Sequence, residues 1–121
     1  MKFLFALLSL ILTSGVFAQD NQQRDAEAIA QLMKVTKYLA DSDLRCAKAT
    51  DCKLIPVGAR ACGGPSGYMI TSQLNANMTE LEYLAAQTEA KQAAFNRNYN
   101  IMSICSLIMP PELKCIASYC R

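Results

Sequence analysis

The chain contains no histidine. That absence removes Ser-His-Asp and Cys-His nucleophile systems, which need an imidazole to take the proton. It also removes every zinc set that uses a histidine ligand. Sites built from cysteine alone show tight Cys-x2-Cys pairs, whereas the closest spacings here are Cys46 to Cys52 and Cys115 to Cys120, so no metal is expected. Glu80 and Glu82 are two positions apart and do not face each other on a helix, so no glycosidase-type carboxylate pair is indicated. Charge of one sign is scarce as well. Twelve Lys and Arg stand against ten Asp and Glu, a formal net charge of +2, and the basic residues are spread singly. Nucleic-acid and anionic-membrane binding require a clustered basic face, and neither is expected. With no recognisable catalytic constellation, the chain is read as a binding protein without a cofactor, not as an enzyme.

What is present begins with a leader. Lys2 gives a positive start, Phe3 to Leu12 is apolar except for Ser9, and Val16 and Ala18 occupy the small-residue positions of a cleavage site. This is the pattern of a secretory signal over residues 1–18. Its apolar run is too short for a bilayer-spanning helix of about 20 residues, and no cysteine follows the junction to carry a lipid. No membrane anchor is expected after cleavage. Residues 19–121 then form a single domain.

All six cysteines, Cys46, Cys52, Cys62, Cys105, Cys115 and Cys120, lie in that domain. An even count in a short exported chain reads as a disulfide framework. A domain of this size buries only about 60–65% of its unfolded surface, and each bridge adds about 2–4 kcal/mol, so the bridges matter as much as the core.

Along the chain, Gln19 to Arg24 is polar and expected to fray. Asp25 to Ala40 reads as a helix with Ile29, Leu32, Met33, Thr36 and Leu39 on one side. Asp41-Ser42-Asp43 is stop-and-turn chemistry. Lys53 to Val57 reads as a strand whose Pro56 belongs at an edge. A long helix is expected from Ile70 to about Asn98, with Leu74, Met78, Leu81, Ala85, Thr88, Gln92 and Phe95 as its inner stripe and alanines favouring the helix. Ile101 to Ile108 and Leu113 to Cys120 read as strands around a Met109-Pro110-Pro111-Glu112 turn. The Lys53–Val57 strand would join that hairpin. The expected fold is α+β, two helices packed on a small antiparallel sheet and stapled by disulfides. On that arrangement Cys105 would bridge Cys115 across the hairpin, Cys52 would meet Cys120, and Cys46 would meet Cys62, although other pairings meet the Cα separation equally well. The scattered methionines Met33, Met69, Met78, Met102 and Met109 are read as core filling.

The most distinctive stretch is Gly58 to Tyr68, which holds four of the five glycines of the chain. The spacing matches neither phosphate-loop pattern. Three readings remain open: a tight backbone crossing relieved by glycine, an anion held by backbone N–H groups beside Arg60, or a preorganised protein-contact loop. Arg60, Gly63, Gly64, Ser66 and Tyr68 are the candidate binding residues, arginine and tyrosine being favoured at interface centres.

Asp51-Cys52, then Pro56 to Tyr68 with its Ala-Cys-Gly-Gly-Pro-Ser-Gly-Tyr core, then a long helix, Cys105, Pro110-Pro111 and a cysteine-rich end resemble a group of small exported bacterial cysteine-rich proteins. The resemblance covers nearly the whole of residues 19–121. It implies secretion and a periplasmic or extracellular location, and it implies no activity. The Asp-Cys pair is also similar to whey-acidic-type inhibitor modules, whose dense adjacent cysteines are missing here. The function expected is an exported binding module, an inhibitor, immunity or envelope accessory protein with a protein partner in the envelope or outside the cell. The alternative is a small-molecule or anion-binding protein or an unrecognised enzyme. Intact-mass and free-thiol analysis of the exported protein should find residues 1–18 removed and no titratable thiol; six reactive thiols or an intact leader would contradict this reading.

Overall fold

A computed structural model of the chain describes residues 14–106 and 108–121. The positive start and apolar run of the expected leader lie outside the described residues, and the expected junction after Ala18 falls within the first helix. Helix α1 spans Ser14–Asp41. The stretch expected to fray is therefore helical. Short-range pairs support it: Arg24 meets Asp20 at 3.4 Å and Asn21 at 2.6 Å, and Gln23 donates to Glu27 at 3.1 Å. The inner stripe is the one read from the sequence, with Ile29, Thr36 and Ala40 buried and Leu32, Met33 and Leu39 half-buried.

Strand β1, Cys52–Val57, pairs antiparallel with β2, Gly67–Ser72, in a register running from Cys52 opposite Ser72 to Val57 opposite Gly67. Here the structure corrects the sequence reading. Ile70 to Ser72 belongs to the second strand, not to the start of a helix, and β1 pairs with that strand instead of with the C-terminal hairpin. Tyr68, Ile70 and Thr71 are aromatic or β-branched and suit a strand, and a pairing nine residues away costs less loop-closure entropy than one across the whole domain. Pro56 is exposed in a two-stranded ribbon, where each strand has a free edge. Helix α2 spans Met78–Asn98. The turn before it is organised by Asn75, whose side-chain oxygen accepts the Asn77 N–H at 2.8 Å.

Both helices pack on one face of the ribbon, giving the expected α+β arrangement. That face presents Ile55, Val57 and Met69, which cluster with Ala40, Leu81 and Ala85. Three side chains close the C-terminal end of α1 from outside the helix. Thr71 Oγ1 donates to the Ala40 carbonyl at 2.8 Å, Asn75 Nδ2 donates to the Leu39 carbonyl at 2.9 Å, and Ser42 Oγ donates to the same carbonyl at 2.6 Å. A helix end leaves four carbonyls without intrahelical partners, and burying Thr71 and Asn75 is tolerable because they supply the missing donors.

The opposite face carries a second cluster, Cys46, Cys52 and Cys120 with Leu44, Ile70 and Leu113. The end of the chain is pinned there. Strands β3, Cys115–Ile116, and β4, Tyr119–Cys120, form a small hairpin around Ala117 and Ser118, both at positive φ, the conformation of a type I′ turn. Cys120 N–H donates to the Leu44 carbonyl at 2.7 Å and Cys46 N–H to the Ser118 carbonyl at 3.0 Å, while Ser72 N–H reaches the Asp43 carbonyl at 2.9 Å. Residues 43–46 thus join the two ribbons.

The bridges are Cys46–Cys115, Cys52–Cys120 and Cys62–Cys105. The second agrees with the expected set, while Cys46–Cys62 and Cys105–Cys115 are exchanged for the other two. Both errors have one cause. Residues 101–108 form no strand among the described positions, so Cys105 and Cys115 are not opposite arms of a hairpin. Pro110 and Pro111 lack N–H donors, and the described residues of 101–108 pair with neither free edge of the β1–β2 ribbon. The closed loops span separations of 69, 68 and 43 residues, for which the chain-entropy model gives about 4 kcal/mol each.

Leu81 is fully buried at the centre of the helix–ribbon interface. Leu81→Ala should lower unfolding free energy by about 2–5 kcal/mol, whereas exposed Tyr83→Ala on the same helix should stay within about 0.5 kcal/mol; denaturant titration of the oxidised protein measures both.

Candidate functional site

The glycine-rich loop is fastened at its base by a polar stripe on α2. Thr88, Gln92 and Asn96 are spaced four apart and so lie on one helix face. Thr88 Oγ1 accepts the Gly58 N–H at 3.2 Å and donates to Ala85 O at 2.7 Å. Gln92 Oε1 accepts the Ala59 N–H at 2.7 Å, and Asn96 Nδ2 donates to the Ala59 carbonyl at 2.9 Å. Thr88 and Gln92 belong to the inner stripe expected of this helix, and they satisfy the loop backbone there. Gly58 sits in this contact with φ +70°, and a Cβ there would lie 2.0 Å from Ser66 Oγ and 2.3 Å from Gln92 Oε1. The close backbone approach read from the glycines is therefore at Gly58.

Gly63 and Gly64 serve differently. Their φ values are +100° and +80°, and nothing lies within 4 Å of a Cβ at either. They are exposed and turn the loop tip, where Gly63 N–H donates to Arg60 O and Arg60 N–H to Gly64 O, both at 3.0 Å. Ser66 closes the loop with its N–H and Oγ both directed at the Val57 carbonyl, at 3.0 and 3.2 Å.

Against this loop lies a strap, residues 101–111. It leaves α2 through Asn100 at φ 51°, with Ile101 N–H donating back to Asn96 O at 2.9 Å. That is the left-handed cap and six-to-one bond of a Schellman ending. Tyr99 packs on Phe95, ring centroids 4.9 Å apart, and its hydroxyl donates to Asp25 at 2.6 Å; the nearby carboxylate raises the Tyr99 pKa. Three contacts hold the strap to the loop. They are the Cys62–Cys105 bridge, the Cys62 N–H to Ser103 Oγ bond at 3.2 Å, and the Arg60 guanidinium, which donates to the Ile104 and Ser106 carbonyls.

The five candidate residues thus fall in one neighbourhood with unequal roles. Arg60 is half-buried and turned inward as a clamp between loop and strap. Gly63 and Gly64 shape the tip. Ser66 is at the base. Tyr68, on β2 opposite Pro56, lines an open cleft of about 480 Å³ with Arg60, Gly64, Pro65, Ile108 and Pro110. A second cleft, about 330 Å³, lies across the loop between Arg60, Glu89 and Arg97.

The sequence reading missed the strap itself. Met102 is 91% exposed, Ile104 80% and Met109 72%. Two of the methionines assigned to the core are therefore on the surface. A signal was available: positions 98–111 contain no charged residue, which is unusual for an exposed segment. The arrangement offers apolar side chains and held backbone, and among the described residues no cysteine is free to act as a nucleophile.

Comparison with known proteins adds no relative: no protein-family model, curated protein or solved structure matches the chain.

Gly58→Ala should be the most costly glycine replacement in the loop. Positive φ alone costs about 1–2 kcal/mol, the expected loss for Gly64→Ala, and Gly58→Ala should exceed it because its Cβ collides with Ser66 and Gln92. Chemical denaturation of the two variants compares them. Gln92→Ala should cost about 1 kcal/mol and increase solvent exchange of the Ala59 amide, whose N–H its Oε1 accepts, read by hydrogen-exchange NMR.

Proposed function

We propose that this protein is an exported binding module that engages a protein partner, in the envelope or outside the cell, through the apolar strap and the glycine loop beside it. The observation that carries the reading is the exposure of Met102, Ile104, Ile108 and Met109 on an uncharged segment fastened to a rigid body. Contiguous exposed apolar side chains are uncommon on monomeric proteins and mark contact sites. The bridge, the Arg60 clamp and the α2 stripe restrict the segment before any partner arrives, which lowers the entropy cost of association.

The three disulfides fit an oxidising extracellular or periplasmic environment. Among the described residues no helix is long and apolar enough to cross a membrane. The anion-binding alternative draws less support, because the Arg60 guanidinium is directed at two carbonyls of its own chain.

The test is affinity capture from envelope extract with the oxidised protein and with a Met102→Glu, Ile104→Glu, Met109→Glu variant. These sites are exposed, so folding should be unchanged within about 0.5 kcal/mol per site, checked by circular dichroism and thermal melting. A specific protein recovered by the parent and reduced at least tenfold with the variant is the expected result; equal recovery by both removes the strap from the function.

A further inference from the structure

The second cluster brings together the two most closely spaced cysteine pairs of the sequence. The sulfurs of Cys46, Cys52 and Cys120 lie within 4.8 Å of one another. Cys115 is bonded to Cys46 and sits directly opposite Cys120 in the hairpin register, so four sulfurs share one place. Cys46, Cys52 and Cys120 are 8%, 4% and 4% exposed and covered by Leu44, Ile70 and Leu113. Cys62 and Cys105 are exposed and belong to the strap.

A second, independent feature separates the same four from the other two. Each is directly flanked by a cation: Arg45-Cys46, Cys52-Lys53, Lys114-Cys115 and Cys120-Arg121. Cys62 lies between Ala61 and Gly63, and Cys105 between Ile104 and Ser106. Arg45 is paired with Asp43 and Lys53 with Glu82, which leaves Lys114 and Arg121 as the cations that offset the negative charge of thiolates around a divalent ion.

We propose that the thiol form of this chain binds one thiophilic divalent cation, Zn²⁺ being the type, through Cys46, Cys52, Cys115 and Cys120. A tetrahedral site with Zn–S near 2.3 Å places its sulfurs roughly 3.8 Å apart. Once the two S–S bonds are open, the observed spread needs only small side-chain rotations. The turns that present the sulfurs also carry hydrogen bonds of their own. Between Cys46 and Cys52, the Asp51 carboxylate accepts the N–H groups of Ala47 and Lys48 at 2.8 and 3.1 Å, which also lowers its pKa. Beside Cys115 and Cys120, Lys114 and Arg121 exchange two backbone bonds of 2.8 Å. The Cys120-to-Leu44 and Cys46-to-Ser118 backbone bonds hold the two turns together.

In a newly made chain the cysteines are already thiols. In the oxidised protein a dithiol reductant supplies two electrons and two protons to each S–S bond and becomes a disulfide itself. Four thiols then release four protons as the cation binds. Metal and disulfides are alternative cross-links of the same sulfurs, so the oxidised protein should bind nothing there. The proposal stands independently of the strap.

The test uses the full chain, reduced and freed of reductant under anaerobic conditions, titrated with Co²⁺ and then Zn²⁺. The expected result is one ion per chain, an intense thiolate-to-cobalt charge-transfer band with tetrahedral d–d bands, and displacement by Zn²⁺. Bound Zn²⁺ should shield four thiols from alkylation while Cys62 and Cys105 react. The Cys62→Ser, Cys105→Ser variant should keep the bands and stoichiometry, and the Cys46→Ser, Cys120→Ser variant should lose the charge-transfer band. A weak octahedral spectrum, one ion per two chains, protection of Cys62 and Cys105, or unchanged binding by the Cys46→Ser, Cys120→Ser variant would each overturn it. Folding need not precede binding, since metal binding can supply the folding free energy; a reduced chain that stays unfolded and unprotected with excess Zn²⁺ would also overturn it.

Discussion

The fold depends on one constraint: the last seven described residues are held on the back of the β1–β2 ribbon by two adjacent disulfides. The hairpin of β3 and β4 has two residues per strand, and so small a ribbon has no independent stability in water. Cys46–Cys115 and Cys52–Cys120 tie it to both ends of the segment that leads into β1. The ribbon consequently has two covered faces, one under helices and one under sulfur and a few apolar side chains. Without the second cover, Ile70 and Cys52 would face water.

The helical face follows a different logic. Its buried side chains include Thr36, Thr71, Asn75 and Thr88, and Ser72 is buried on the other face opposite Cys52, which is a polar core for so small a domain. Each has a partner: among the described residues no buried side-chain nitrogen or oxygen lacks one. Thr71, Ser72 and Asn75 complete the end of α1 and the segment after it, and Thr88, with Gln92 and Asn96, completes the start of the glycine loop. Buried polar groups add little net stability, but losing one partner leaves the other unsatisfied at a cost of about 1–3 kcal/mol. The network therefore specifies position more than it adds stability. It sets the loop and strap in one orientation relative to α2.

That division accounts for what was legible in the sequence. The α1 stripe of Ile29, Leu32, Met33, Thr36 and Leu39 and the Lys53–Val57 strand follow from local periodicity, and both stand in the structure. Periodicity also extended α2 too far upstream, because Leu74 continues the four-and-three stepping by coincidence while Tyr68 to Ser72 has strand chemistry. Ile101 to Ile108 has strand composition, yet no neighbouring edge accepts it, and strand formation requires a partner that composition cannot provide. Of the candidate residues, Gly63, Gly64 and Tyr68 gather around the cleft, but the inward turn of Arg60 depends on carbonyls more than forty residues away. The strap announced itself only by a lack of charge, a signal easily mistaken for a buried strand.

By itself the sequence determined the α+β class, the disulfide framework, the first helix, the first strand and the importance of the glycine-rich segment, because each rests on residues near one another in the chain. The tertiary structure alone decided the cysteine partners, the pairing of β1 with β2, the exposure of the strap and the convergence of four cation-flanked sulfurs. Those features join residues separated by up to 69 positions. Their energies depend on which surfaces meet, and local patterns carry no record of that choice.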